Sequence, residues 1–170
     1  MKRITLSLTI TILMISICDA QMFRAIQKDF NNLSGSWVGS LTYLDYSSGK
    51  PYTMAADLKI MRITKTNIFV FSNIYPKEAS ANSMDTISIS ANGKYIGKES
   101  VKSRHRLANG DIEIITQELG KDGNENKPAT IKHTYTIGGE TFKNKKDVQF
   151  IDKPGWINRH EYSYKRSLKA

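Results

Sequence analysis

Turn-forming residues recur at short intervals after Leu33, and this spacing restricts the fold more than any other feature of the chain. Glycine, proline and asparagine supply the backbone conformations that tight turns need, so each cluster of them ends a strand or a helix. The segments between the clusters are rich in Ile, Thr, Tyr and Phe, as is typical of β-strands. Eight clusters are present, at 47–51, 64–67, 76–82, 92–93, 109–110, 120–128, 138–139 and 153–155.

These turns delimit nine predicted strands, at 35–46, 52–63, 67–75, 84–91, 94–107, 111–119, 129–138, 140–151 and 156–167. The pairs Asn92-Gly93 and Asn109-Gly110 favour two-residue hairpins, because a type I′ turn needs positive φ at both central residues. Short links between successive strands indicate antiparallel pairing. We therefore predict an all-β domain that closes into one antiparallel up-and-down barrel of about 8–10 strands, since closure removes the exposed edges. A two-sheet β-sandwich is the alternative.

The first residues predict export. Lys2 and Arg3 precede an apolar run over 4–17, and Ala20 follows as a small residue at a cleavage position. We expect a signal peptide over 1–20, cleaved after Ala20, and a single barrel domain over 21–170 in the periplasm or outside the cell. Lipid attachment at Cys18 is the alternative, although Ile17 stands where a small residue is expected. In residues 22–31, apolar side chains at spacings of three and four predict a short helix.

Charge and composition restrict the partners. The chain has 170 residues, 39% of them hydrophobic, and a net charge of +9 that falls to +8 without Lys2, Arg3 and Asp19. These values indicate a globular domain with no transmembrane segment after the signal. A basic exported protein favours anionic polymers or surfaces, and 143–146 is its densest lysine cluster. Nucleic acid is not an expected partner, because the aromatic residues alternate toward the core and the chain is exported.

Motifs for catalysis or metal binding are weak. His105, His133 and His160 are far apart in the sequence and fall on alternate predicted strands, so we expect neither a metal site nor a cofactor. The chain has no Gly-x-Ser-x-Gly turn and no glycine-rich phosphate loop followed by a helix. Enzyme activity stays open but is not favoured. A hydrolase or isomerase on this barrel is the third functional alternative.

The strand that begins at Gly35-Ser36-Trp37 resembles the first strand of the calycin superfamily, lipocalin-like proteins in particular. In that family a Gly-x-Trp closes one barrel end, which gives Gly35 and Trp37 structural roles, and a basic residue near the last strand packs over the tryptophan. Arg159 or Arg166 would supply that residue here. The ending over 162–166 is also similar to the last strand of fatty-acid-binding proteins, where Arg and Tyr bind a carboxylate.

Small barrels often hold one ligand inside, which makes the lumen the favoured site. Strand alternation places His160, Tyr162, Tyr164 and Arg166 on one face of the last strand, and a register shift of one residue would bring in Arg159 and Glu161 instead. We expect a small hydrophobic or amphipathic ligand, anionic at one end and bound by Arg166 or Arg62. A basic surface or adhesion module for polyanions is the alternative. The predicted ligand-binding residues are Tyr43, Arg62, His133, Tyr135, Tyr162, Tyr164 and Arg166.

Overall fold

A computed structural model describes residues 23–45 and 48–167. Residues 23–32 are helical, and a short 3-10 helix spans Ala79–Ala81. The predicted signal peptide and the cleavage position after Ala20 lie outside the described residues. The strands are β1 Gly35–Asp45, β2 Lys50–Ala55, β3 Asp57–Arg62, β4 Ile68–Ile74, β5 Ser83–Ser88, β6 Tyr95–Ile96, β7 Glu99–Arg106, β8 Ile112–Asp122, β9 Lys127–Ile137, β10 Thr141–Phe150 and β11 Ile157–Arg166.

The strands form one antiparallel sheet in the order β5-β4-β3-β1-β11-β10-β9-β8-β7-β6, with β2 also on β1. Strands β2 and β3 keep one register on β1, as the pairs Ser40↔Ala55 and Trp37↔Leu58 show, so they are two parts of one long strand. The ends of the sheet meet where Ile89 bridges Ile96 and the Gly97 N–H donates to the Ser88 carbonyl at 2.7 Å. The predicted antiparallel barrel is confirmed, nearly closed and with 10–11 strands.

Most predicted strand boundaries are confirmed to within a few residues. The segment predicted over 94–107 is two strands, because Gly97 takes a φ of +60° and turns the chain between β6 and β7. This short hairpin leaves part of the wall incomplete. Within the described residues, 83–87 of β5 pair only with β4 and 118–122 of β8 pair only with β9, so a lateral gap separates them.

One barrel end is filled by the helix. Ile26, Phe30 and Leu33 are fully buried there, and the Phe30 ring lies 5.6 Å from that of Phe69. Trp37 is 1% exposed, and its indole N–H donates to the Leu33 carbonyl at 2.8 Å. These contacts bury the apolar stripe that predicts the helix, which is how most short helices in proteins gain their stability. Within the described residues, no helix combines the length and the apolar character needed to cross a bilayer.

Candidate functional site

The interior of the barrel changes from apolar to polar along its axis. Around the helix the core consists of Phe, Ile, Leu and Trp side chains. Farther along, the register aligns Thr116, His133, Lys146 and His160 on the adjacent strands β8 to β11. Beyond this polar layer, Ala129, Ile131, Val148 and Phe150 form a second, smaller apolar cluster on β9 and β10.

A cavity of about 240 Å³ lies in this polar half, between the wall of β4 and β5 and the wall of β10 and β11. Its apolar lining consists of Leu58, Phe71, Ile87 and Phe142. Its polar and aromatic lining consists of Asn73, Asp85, Asn144, His160, Tyr162 and Tyr164. Asp85 is the formally charged residue among these lining groups, and it is exposed at the lateral gap beside β5.

Stacked aromatic rings form one side of the cavity. The Tyr164 ring is nearly parallel to that of Phe142 and to that of Tyr162, with centroids 5.8 Å apart in both pairs. The Tyr162 and Tyr75 hydroxyl oxygens lie 2.8 Å apart in a hydrogen bond across the barrel. Burial raises the pKa of Tyr162 and Tyr164, so both phenols are neutral at pH 7 and supply hydrogen-bonding groups without charge.

Asn144 and His160 supply the polar chemistry of the same wall. Asn144 lies between Tyr135 and Tyr162 on the neighbouring strands, and its Oδ1 is buried without a hydrogen-bond partner among the described residues. Burial, with the charges of His133 and Lys146, lowers the pKa of His160 to about 4 despite the opposing charge of Asp122. His160 is therefore a neutral imidazole at pH 7, which offers one donor and one acceptor.

A second polar group lies across the lumen on β7, β8 and β9. His133 Nδ1 lies 2.8 Å from Glu99 Oε1, and the Thr116 hydroxyl donates to Glu99 Oε2. Burial alone would raise the pKa of Glu99, but His133 and Thr116 outweigh it, and the pKa is lowered. Burial, with the charge of Glu99, raises the pKa of Tyr135, whose ring packs on Phe30 at 5.7 Å. This group joins a carboxylate, an imidazole and a hydroxyl beside a neutral phenol.

Charged residues at the rim neutralise one another. Asp122 accepts from Lys146 Nζ at 2.9 Å and from Arg159 Nε. Burial alone would raise the pKa of Asp122, but these two cations outweigh it, and the pKa is lowered. Arg159 therefore pairs with Asp122 on β8. His160, Tyr162 and Tyr164 face the lumen in the register of the main prediction, and the shifted register that would pair Arg159 with Glu161 inside is not observed.

The structure brings together four of the seven residues predicted to bind a ligand. Tyr162 and Tyr164 line the cavity, and His133 and Tyr135 belong to the inner face of β9. Tyr43 lies elsewhere, with its ring 5.6 Å from that of Tyr52. Arg62 also lies elsewhere and donates from Nε to the Thr66 carbonyl at 2.7 Å, in the turn before β4. Ligand binding by these residues stays a prediction.

Arg166 lies at the closed end of the barrel. Its guanidinium carbon lies 4.2 Å from the centroid of the Trp37 ring, and Nη2 donates to the Asn32 carbonyl at 2.6 Å. This is the position that the lipocalin resemblance gives to Arg159 or Arg166, and Arg166 occupies it. Gly35 beside it has a φ of +129°, and an added Cβ would lie 3.1 Å from Arg166 Nη1. Arg166 is therefore not among the residues that line the cavity.

Asn73, Asp85, Glu99 and Asn144 are not among the residues predicted from the sequence. The face of β10 that carries Phe142, Asn144 and Lys146 is detectable by alternation, but the dense lysines over 143–146 indicated a basic surface for anionic partners instead. The structure divides that cluster: Lys143 pairs with Glu161 at 3.6 Å and Lys145 with Asp147 at 3.2 Å, whereas Lys146 turns to Asp122. The cluster is therefore three separate ion pairs.

Comparisons with known proteins find the fold. No family model matches the chain, and no curated protein matches it. The structure of Rv2717c from M. tuberculosis is similar, with a TM-score of 0.55, 12% identity, and coverage of 86% of this chain and 97% of that one. A protein of unknown function from the DUF3598 family of Nostoc punctiforme has a TM-score of 0.41 and 13% identity over 81% of this chain and 49% of its own. At such identity the likeness to Rv2717c shows a shared fold, which is compatible with a lipocalin-like barrel.

Proposed function

We propose that this protein is an exported binding protein that holds one small amphipathic molecule in the polar half of the barrel. The cavity of about 240 Å³, with an apolar side and a polar side, carries this proposal. It is smaller than the roughly 300–1,000 Å³ typical of ligand pockets, so its ligand is a small molecule. Export is supported by the segment from Lys2 to Ala20, and mass spectrometry of the exported protein is expected to show a chain that begins at Gln21.

The polar end of the ligand is inferred from Asn144 and His160. A buried carbonyl oxygen without a partner costs roughly 1–3 kcal/mol, and a ligand donor at Asn144 Oδ1 would remove that cost. His160 is neutral and Asp85 is the formally charged lining residue, so a carboxylate ligand would meet no lining cation. We therefore favour an uncharged hydroxyl or amide group over the anionic end that sequence analysis expects.

The apolar part of the ligand would contact Leu58, Phe71 and Phe142, which lie on three different strands. When these side chains bury the carbon atoms of the ligand, they supply the hydrophobic contribution to affinity, roughly 25 cal/mol per Å² of buried apolar surface. Tyr43, Arg62 and Arg166 are not part of this proposal, because their contacts lie outside the cavity.

Two tryptophan substitutions test the site. Ile87→Trp fills the cavity from β5, whereas Ile74→Trp places the same side chain at an exposed position beyond the lining. We expect neutral probes such as indole and benzyl alcohol to raise the melting temperature of the unsubstituted protein and of Ile74→Trp, because a ligand of the native state stabilises it. Ile87→Trp should lose this response, and octanoate should produce a smaller one.

Asn144→Leu tests the polar contact in the same assay. We expect it to weaken the binding of a probe with a donor by about tenfold, or 1.4 kcal/mol, and to leave purely apolar probes unaffected. The proposal would be contradicted if the probes raised the melting temperature of all variants equally, or if no probe raised that of the unsubstituted protein.

A further inference from the structure

A second cleft, of about 470 Å³, lies at the helix end of the barrel, away from the lumen cavity. It is bounded by the helix, the end of β7, the turn between β9 and β10, and the end of β11. The charged residues around it are Lys28, Asp29, Arg104, Arg106 and Arg166. Four cations and one carboxylate give this lining a net charge of +3.

The carboxylate of Asp29 is already paired with Arg104. Asp29 accepts from Arg104 Nε at 2.6 Å and from Nη2 at 3.0 Å, and the Asp29 side chain is 6% exposed. Within residues 23–45 and 48–167, no carboxylate forms an ion pair with Lys28 or Arg106. A concave surface with a net positive charge focuses its field on the space that it encloses, so this cleft attracts anions.

The guanidinium groups are held in place before any ligand arrives. Arg166 donates to the carbonyls of Asn32 and Ser34, and Arg106 Nη1 donates to the Gly110 carbonyl at 2.6 Å. A guanidinium carries five N–H donors, and the single bond of Arg106 leaves most of its donors for another acceptor. Groups that are already ordered lose less conformational entropy on binding, which favours affinity.

We propose that this cleft binds a phosphate group carried by a small soluble molecule. Arginine matches tetrahedral phosphate through paired N–H donors, and lysine adds a point charge. Mutual repulsion among the four cations falls when a dianion enters. Ile112 and Ile137 line the same cleft and offer apolar contact to the carbon skeleton that carries the phosphate. An anionic lipid headgroup presents the same chemistry, so the test includes both sources.

The test uses calorimetry on the purified protein with inorganic pyrophosphate, at an ionic strength held constant with NaCl. We expect saturable binding and movement of the backbone amide signals of Gly110, Gly138 and Gly139 in nitrogen-15 NMR spectra, because these glycines line the cleft. Binding to the soluble probe without binding to phosphatidylglycerol vesicles supports the soluble source. Binding to those vesicles alone would overturn it.

Single-charge variants provide the control. Arg106→Gln and Lys28→Gln change exposed residues of the cleft, and Lys59→Gln removes one charge from an exposed position on β3. We expect Arg106→Gln to weaken pyrophosphate binding at least tenfold, Lys28→Gln to weaken it less, and Lys59→Gln to leave it unchanged. Equal weakening in all three variants would show a general charge effect and overturn the proposal. The proposal would also be overturned if NaCl alone shifted the glycine amide signals as much as pyrophosphate does. The lumen probes should bind all three variants normally, which separates this test from that of the proposed function.

Discussion

At the scale of single residues, His160 couples the polar half of the lumen to pH. Burial lowers its pKa to about 4 in the folded protein, against about 6.5 for an exposed histidine. The unfolded chain therefore takes up a proton at His160 as the pH falls below 6.5, while the folded protein does so only near pH 4. The contribution of His160 to the free energy of unfolding is complete above pH 6.5 and is lost as the pH falls toward 4.

The size of this effect follows from the shift, which corresponds to a loss of about 3 kcal/mol over that range. We expect urea unfolding at pH 7.5 and pH 5 to show a steeper loss of stability in the unsubstituted protein than in His160→Gln, which cannot titrate at this position. Glu99 and Asp122 have lowered pKa values, so their contributions to the free energy of unfolding are lost only at lower pH. They are also present in both proteins and do not produce the difference between the unsubstituted protein and His160→Gln. The same pH dependence in His160→Gln would show that other groups are responsible.

At the scale of secondary-structure elements, the contact between β1 and β11 depends on Gly39. A Cβ added at Gly39 would lie 2.2 Å from the Ser163 carbonyl oxygen and 2.6 Å from Tyr164 Cδ1. Because the first of these atoms is backbone, the strands would have to separate. We expect Gly39→Ala to lower the free energy of unfolding by 3 kcal/mol or more, at the upper end of the roughly 1–3 kcal/mol typical of overpacking.

Gly139→Ala is the matched control for Gly39→Ala in urea unfolding. It lies in the turn between β9 and β10, and nothing lies within 4 Å of its added Cβ. We expect it to change stability by less than about 0.5 kcal/mol, as surface substitutions usually do. Similar losses in both variants would mean that the cost comes from removing glycine and not from the close approach of two strands.

The elements also show what could be predicted from the sequence. Strand positions were predictable because turn clusters and alternation are local signals, and both Asn-Gly pairs lie in observed turns. The predicted type I′ geometry is wrong at both, because Gly93 and Gly110 take positive φ whereas Asn92 and Asn109 do not. The lateral gap was not predictable, since it depends on how far β7 extends along β8. The role of Asn144 was hidden for a related reason: its neighbours Tyr135 and Tyr162 come from two other strands, and only the register brings them together.

Arg166 illustrates the same limit within the candidate site. Alternation correctly places its Cα in line with Tyr162 and Tyr164 on the inner side of β11. Its register partner on β1 is Trp37, so its long side chain meets the end of the barrel and the carbonyls of the helix end. Alternation gives the face of a strand but not the depth along the barrel axis, which decides whether an inward residue seals an end or lines a cavity.

At the scale of the whole molecule, the helix end and the cavity region of the barrel have different linings. The helix fills one end with apolar side chains and brings Lys28 and Asp29 to the basic cleft. The other half keeps polar side chains around the lumen cavity. The sequence predicts a site in the lumen and not this cleft, because a helix that caps a barrel carries no local signal for a cleft on its outer side. The cleft depends on β7 and β11, which are distant from the helix in the chain.

The helix is expected to fold and unfold together with the barrel. Phe30 is fully buried, and its ring contacts those of Phe69, Phe71 and Tyr135 at 5.6, 6.5 and 5.7 Å. Phe30→Ala leaves a cavity among these rings and should lower the free energy of unfolding by about 3–5 kcal/mol, as at other buried aromatic positions. Arg24→Ala, at an exposed position of the same helix, should cost less than about 0.5 kcal/mol.

Two probes measure whether the helix and the barrel form one cooperative unit. In a Trp156→Phe background, Trp37 is the remaining tryptophan, and its fluorescence reports the helix end because its indole donates to the Leu33 carbonyl. Circular dichroism reports the strands of the whole barrel. We expect both probes to give the same urea midpoint in the background protein, and both midpoints to fall together in Phe30→Ala, since one continuous core joins the helix to β3, β4 and β9. A fall of the fluorescence midpoint alone would show that the helix is a separately unfolding cap, and the barrel would then owe its stability to its strands.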